Sequence, residues 1–312
     1  MKYKKLISSL LLILAALIWG VAFVAQSVGM KYIGPYTFSF IRCMIGAVVL
    51  LPVIYFMRDK NSSTKNTGKK NNRTLIIGGI LCGICLCVAT NLQQFGLLYS
   101  SSGKAGFITT CYIVMVPIIG IFFKKKTHLN IWIGVLIALI GMYFLCILAD
   151  DGSVNTIREI IYLNIAGIRI NIGELYLVLC AIAFSFHIIT IDHFSPLTDG
   201  IKLSCIQFFV SGLLSGVAML IYEKASMTAV IDALIPILYT GILSSGVAYT
   251  LQIIGQKNLN PTVASLLMSL ESVISVLAGW IILGQSLSAY EIIGCILIFC
   301  AVVLAQLPVK KK

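Results

Sequence analysis

Glu271 is the residue of this chain best placed to do chemistry, an acid ten residues into an apolar stretch that starts near Pro261. A charge at the centre of a membrane helix costs roughly 2.5–3.5 kcal/mol to insert, so such a group needs a reason to be there. Ten residues of helix carry it about 15 Å into the stretch. At helical spacing Ala264, Met268, Glu271, Ser275 and Ala278 share one stripe, which has to face the interior of a helix bundle. A carboxylate there can bind a proton or a cationic group of a substrate. It can equally stay neutral and tie helices together by hydrogen bonds, and the residue types leave both readings open.

Other polar groups interrupt apolar stretches at helical spacing. Asn91 and Gln94 stand one turn apart, as do Thr109 and Tyr112, while Trp19 and Phe23 are spaced i, i+4. Gln93 recurs in the second half as Gln252, close to Tyr249. Amides, hydroxyls and aromatic rings together suit a small zwitterionic or polyfunctional organic molecule better than a bare ion. Amides also join helices to one another, so each is weak evidence alone. His187 reads as a proton relay or, more simply, as a helix-to-helix hydrogen-bonding group. Arg42 can attract an anion, but capping of carbonyls or snorkelling to the interface is the simpler expectation. Pro117 and Pro236 are expected to kink their helices. Ser211 to Gly216, and Gly134 with Gly141, read as close-packing faces.

These groups need an apolar frame to position them. Hydrophobic residues make up 59% of the 312 and charged ones 11%, far below the quarter or so of a soluble domain. Mean hydropathy is +1.00. Ten apolar stretches of membrane-spanning length follow, at about 6–26, 36–57, 75–98, 104–123, 130–148, 174–191, 200–222, 231–255, 261–283 and 289–307. The first is too long for the core of a secretory signal. The expected fold is therefore all-α and integral to the membrane.

The formal charge of +12 resides in loops and tails, which excludes a nucleic-acid reading. With the N-terminus in the cytoplasm, 17 basic residues fall on that side, including Arg58–Arg73, Lys124–Lys126 and Lys310–Lys312. Only five (Lys31, Lys104, Arg158, Arg169 and Lys224) fall on the other. Both termini are expected to be cytoplasmic in the plasma membrane.

The two halves read as copies. An offset of 159 pairs Leu92-Gln93 with Leu251-Gln252, Gly96 with Gly255 and Gly120 with Gly279. Five spans per copy is an odd number, so the second copy must sit upside down. Ten helices in two inverted five-helix repeats around a central cavity are the expectation, with residues 1–148 and 174–312 joined by an extracytoplasmic connector, 149–173. Within it, 160–170 is β-branched around Asn and Gly and suggests a small hairpin.

All ten cysteines lie in apolar spans, where they behave as small hydrophobes. Cys82, Cys85 and Cys87 resemble a metal clip but lack a cation partner in their helix, and no metal or other cofactor is expected. No Gly-x4-Gly-Lys-Ser/Thr loop occurs, so ATP drive is not expected. No zincin motif occurs among three histidines, which disfavours a membrane-embedded enzyme; a sensor would usually append a soluble domain.

Leu17-Ile-Trp-Gly-Val-Ala-Phe23, Phe38-Ser-Phe-Ile-Arg42, Leu270-Glu-Ser-Val273 and Gly279-Trp-Ile-Ile-Leu-Gly284 resemble the EamA-type members of the drug/metabolite transporter superfamily. The resemblance spans about 8–147 and 174–307. The family usually carries Gly-Glu at the ends of spans four and nine, where this chain has Lys125-Lys126 and Gly284-Gln285. The resemblance implies a central cavity lined by spans one, three, four, six, eight and nine. It also implies a secondary transporter, often an exporter, working on amino acids, metabolites, nucleotide sugars or toxic compounds.

The expected function is alternating-access transport, with export of a small metabolite such as an amino acid; the alternatives are a multidrug exporter, a membrane-embedded enzyme or a sensor. The expected partners are that substrate, a coupling proton and the bilayer, with the chain a monomer or homodimer. The expected substrate residues are Trp19, Asn91, Gln93, Gln94, Thr109, Tyr112, His187, Tyr249, Gln252, Met268 and Glu271.

Overall fold

A computed structural model describes residues 2–57, 68–100, 102–123, 128–144, 162–165, 168–283 and 288–306. Arg58, Lys124–Lys126, Cys146, Arg158, Gly284-Gln285 and Lys310–Lys312 lie outside the described residues, as does the side chain of Lys104.

Ten helical rods account for nearly all of the described chain. They are α1 (Lys2–Gly29), α2 (Pro35–Met57), α3 (Gly68–Tyr99), α4 (Ser102–Thr110) with α5 (Tyr112–Phe122), and α6 (Leu129–Tyr143). The second half continues with α7 (Ile172–Phe194) and α8 (Gly200–Tyr222). Next comes a composite rod of α9 (Met227–Asp232), α10 (Leu234–Leu238), a π-helix (Tyr239–Tyr249) and α11 (Thr250–Gln256). The last two rods are α12 (Pro261–Met268) with α13 (Leu270–Leu283), and α14 (Ala289–Gln306). Seven runs are long and apolar enough to cross a membrane, and three shorter apolar ones (Ile108–Phe122, Leu129–Tyr143, Ala289–Leu304) complete the set. Each coincides with an expected stretch.

The outward faces show which solvent the fold requires. Phe122, Ile235 and Leu220 are 82%, 81% and 78% exposed, while Arg42, Gln94 and His187 are buried. Apolar side chains outside and polar ones inside would not be stable in water. In a bilayer, backbone groups are satisfied within each helix and apolar surface meets lipid tails. The chain is a multi-pass membrane protein.

Helix ends are satisfied locally. Asp199 accepts from the backbone N–H groups of Ile201 and Lys202, and Asn260 accepts from Thr262 ahead of Pro261 at the first helical position. Ser288 and Glu291 form a reciprocal capping box at the start of α14. The start of α2 is capped by a distant residue, the Glu223 carboxylate, which accepts from the N–H groups of Tyr36 and Thr37 at 3.0 and 2.8 Å. The hairpin is present as β1 (Tyr162–Ile165) antiparallel to β2 (Ile168–Asn171), with Leu163 facing Ile170 in register. Asn171 then caps α7 through the N–H of Gly173.

Two expectations about helix shape need correction. α3 begins at Gly68 rather than near 75, because Lys69 to Arg73 continue the helix beyond its apolar part. Pro117 lies inside α5, and the fourth rod also breaks at Cys111. Span nine, expected to be continuous, breaks at Ser269.

Close approach requires small residues where rods meet. α3 packs against α7 and α8, α2 against α8, α6 against α14, and α1 against α13. The small-residue faces take part, for Gly212 and Gly216 lie against Met44 and Phe40, and Gly141 against the Gly294 carbonyl. At Gly20 the approach matters most for function. A Cβ there would stand 2.5 Å from the Ile274 Cβ and 2.9 Å from the Glu271 carbonyl oxygen. Gly20→Val should therefore push α1 off α13 and cost about 1–3 kcal/mol, the range for overpacking. Thermal unfolding of the purified variant in detergent will measure this, and an unchanged midpoint would refute the contact.

Candidate substrate-binding cavity

One cavity, with an empty volume of about 460 Å³ including its mouth, lies among the rods. α1 lines it with Trp19, Phe23 and Gln26, spaced i, i+4, i+7 on one face. α2 contributes Arg42, α3 Gln93, and α7 the i, i+4 pair Phe184 and Ile188. Thr109 and Tyr112 flank the break between α4 and α5, and Met268 and Glu271 flank the break between α12 and α13. The eighth rod supplies Ser244 and Tyr249 from its π-helix and Gln252 just beyond.

The two breaks are alike. Cys111 has φ, ψ of −57°, −7° and Ser269 −62°, −13°, both tighter than α-helix in ψ. The N–H of Cys111 bonds to the Ile108 carbonyl and that of Ser272 to the Ser269 carbonyl, three residues back in each case. Hydroxyls accompany both breaks: Thr110 donates to the Gly106 carbonyl at 2.5 Å, and Ser269 to that of Leu266 at 2.7 Å. Non-helical backbone at membrane depth is tolerated where it lines a cavity, and both breaks do so.

Across the cavity wall the Tyr112 hydroxyl donates to Glu271 Oε1 at 2.9 Å, and the two residues are 159 positions apart. Gln93 and Gln252 have the same spacing in sequence, and both line the cavity. Beside them Trp19 and Tyr249 pack edge-to-face with centroids 4.7 Å apart.

Gln26 is the second polar node. Its Oε1 accepts from Arg42 Nη1 at 3.2 Å and from Gln94 Nε2, joining α1, α2 and α3 through one atom. Arg42 is therefore neither snorkelling nor capping a carbonyl. It stays buried at 2% exposure because an amide and the cavity replace water.

Eight of the expected residues line the cavity: Trp19, Gln93, Thr109, Tyr112, Tyr249, Gln252, Met268 and Glu271. Three stand behind it. Asn91 donates to Ser215 Oγ at 2.8 Å and closes the α3–α8 seam. Gln94 holds Gln26. His187 Nε2 pairs with Gln207 Oε1 at 3.0 Å, its ring 6.0 Å from that of Tyr249, and so joins α7 to α8.

Sequence reasoning missed Gln26, although its i+7 spacing from Trp19 signalled it. Ser244 could not be found with a 3.6-residue period. It aligns with Tyr249 because residues five apart stack in a π-helix. Cys43 and Cys87 contact Ser211 and Ser215 at 3.6 Å, and among the described residues no His, Cys, Asp or Glu cluster could hold a metal.

A bundle with apolar outer faces, broken helices and a polar cavity where the breaks meet defines a membrane transporter. The EamA-like transporter family model matches residues 6–147 and 171–307, and the chain belongs to that family. It is 27% identical over 307 residues to an uncharacterized transporter of Archaeoglobus fulgidus, covering 98% of this chain and 88% of the relative. It is 24% identical to the uncharacterized transporter YoaV of Bacillus subtilis, over 93% of this chain and 94% of that one. A solved crystal structure superposes with a TM-score of 0.73 at 17% identity, covering 96% of both chains.

If the Tyr112–Glu271 bond holds the two breaks together, Tyr112→Phe and Glu271→Gln should couple. A double-mutant cycle on thermal stability should return an interaction of about 1–3 kcal/mol, as for a hydrogen bond to a charged group. Additive effects would show that the contact is incidental.

Proposed function

We propose that this transporter moves a small organic metabolite, an amino acid or a compound related to one, across the plasma membrane by alternating access. The moving parts are two inverted five-helix halves, residues 1–148 and 174–312, with 149–173 as the bridge. The observation that carries the reading is the meeting of Tyr112 and Glu271, partners by the repeat offset, at helix breaks that both open on one cavity. In an inverted repeat, corresponding residues approach each other only near the pseudo-twofold axis. A site on that axis can face either side of the membrane as the halves rock.

Glu271 is the coupling residue in this reading, the acid that holds either a proton or a cationic group of the substrate. Gln93 and Gln252 supply amides, while Trp19 and Tyr249 supply flat apolar walls. Amides, hydroxyls and aromatic walls together suit an organic metabolite better than a bare ion. Export is the direction favoured by the resemblance of the sequence motifs. The 17-to-5 distribution of basic residues supports cytoplasmic termini.

The test is counterflow in proteoliposomes loaded with a metabolite library. At least one small organic compound should exchange, and Glu271→Gln should slow that exchange at least about tenfold, the loss of roughly 1.4 kcal/mol of binding or barrier. Exchange and pH dependence unaltered in that variant would remove Glu271 from coupling. Separately, an epitope at the C-terminus should be protected from external protease in intact cells and one placed at Ser153 should be cleaved; the reverse pattern overturns the orientation.

A further inference from the structure

The two ends of the cavity are closed to different degrees. At one end of the bundle lies the hairpin, where Asn171 Nδ2 donates to the Tyr99 carbonyl at 3.4 Å. At the other end Asn258 Nδ2 donates to Ser8 Oγ at 3.2 Å. Chain direction then puts α4 and α13 in the half of the bundle toward the hairpin, and α5 and α12 in the half toward Ser8.

Toward Ser8 the cavity lining stops at Tyr112, Ile188, Gln252 and Met268. One helical turn further along the same rods, Val116, Ile191, Gln256 and Ala264 are all buried. α5 packs on α12 there, and every residue of α12 from Ala264 to Met268 is buried. A Cβ on Gly255 would stand 3.0 Å from both the Ser8 carbonyl oxygen and the Leu12 side chain. Packing this close leaves no passage.

Toward the hairpin the turn beyond Thr109 ends in Gly106. Gly106 is buried, yet a Cβ on it would meet nothing within 4 Å. Gly20, Gly96 and Gly173 behave otherwise, with an atom at 2.5, 2.5 and 2.8 Å from that position. A buried glycine beside empty space marks a void inside the bundle. Thr109 lines the cavity three residues on, so the void lies directly above the cavity on that side. On α13, which packs against α4, the Glu271 stripe continues toward the hairpin with two small residues, Ser275 and Ala278.

We infer that a ligand enters and leaves the cavity of this conformation over Gly106, and that the missing side chain there sets the width of the passage. Gly106 thereby determines which sizes of molecule reach Glu271. The inference goes beyond the transporter reading and names no substrate. A larger side chain would narrow the way in without touching the groups that line the cavity.

The experiment therefore needs no substrate. It uses the full chain purified in detergent and the charged thiol reagent trimethylammonioethyl methanethiosulfonate, which reacts only with thiols it can reach. Gly106→Cys and Thr109→Cys should each be modified at least about tenfold faster than Ala264→Cys, counted by intact mass above the unaltered chain. Adding Gly106→Trp to Thr109→Cys should slow that modification at least about tenfold. Gly106→Ala should leave the thermal midpoint unchanged or raise it, since its Cβ enters empty space and alanine favours the helix. Gly96→Ala should lower it.

The inference is overturned if Ala264→Cys reacts as fast as Gly106→Cys, or if Gly106→Trp leaves the reactivity of Thr109→Cys unchanged. A loss of stability in Gly106→Ala as large as in Gly96→Ala also overturns it. Where Gly106→Trp fails to fold, the three cysteine variants decide. Labelling as expected without counterflow by any compound keeps the passage and removes the transporter reading; counterflow with rapid labelling of Ala264→Cys does the reverse.

Discussion

The hydrogen bond from Tyr112 to Glu271 joins the only acid of the cavity lining to the two helix breaks beside the cavity, and the organisation of the site follows from it. An acid at membrane depth needs a partner, and a helix break needs surroundings that satisfy its loosened backbone. Placing acid, partner and both breaks together meets all of these needs with one polar region. Gly20 permits the arrangement, because only a residue without a Cβ lets α1 lie directly on the carbonyl of Glu271.

The remaining polar groups divide by what they hold. Asn91 with Ser215, His187 with Gln207 and Thr250 with Ser204 join neighbouring rods behind the cavity. Gln26 is different, because it fixes Arg42 at the cavity while using up only one of its nitrogens. Structural glue and cavity-lining groups are distinguishable here by position, not by residue type.

The eighth rod shows how backbone geometry changes a site without changing its composition. Pro236 carries no N–H, and the chain continues from it into eleven π-helical residues. The hydroxyl of Thr240 bonds to the Pro236 carbonyl at 2.7 Å and that of Thr250 to the Gly246 carbonyl at 2.7 Å, one near each end of the segment. Within it the wider turn brings Ser244 and Tyr249 to the same face, and Tyr239 reaches the Ile18 carbonyl of α1 at 3.0 Å. The result is a wall that touches α1, α2 and the cavity at once.

Apolar stretches of the right length, with polar residues only at rare internal positions, determined the class of this protein and the course of its ten rods. The hydrocarbon of the membrane allows few other solutions. The same rarity made Glu271, Tyr112 and the Gln93–Gln252 pair legible, since each stands out against an apolar run. The tertiary structure alone decided which polar groups face the cavity and which face a neighbour. Arg42 and His187 look alike in sequence, as lone basic residues in apolar helices, yet Arg42 lines the cavity and His187 is turned to Gln207. That choice depends on the rotation of each helix about its axis. Contacts between rods set the rotation, and local spacing does not record them.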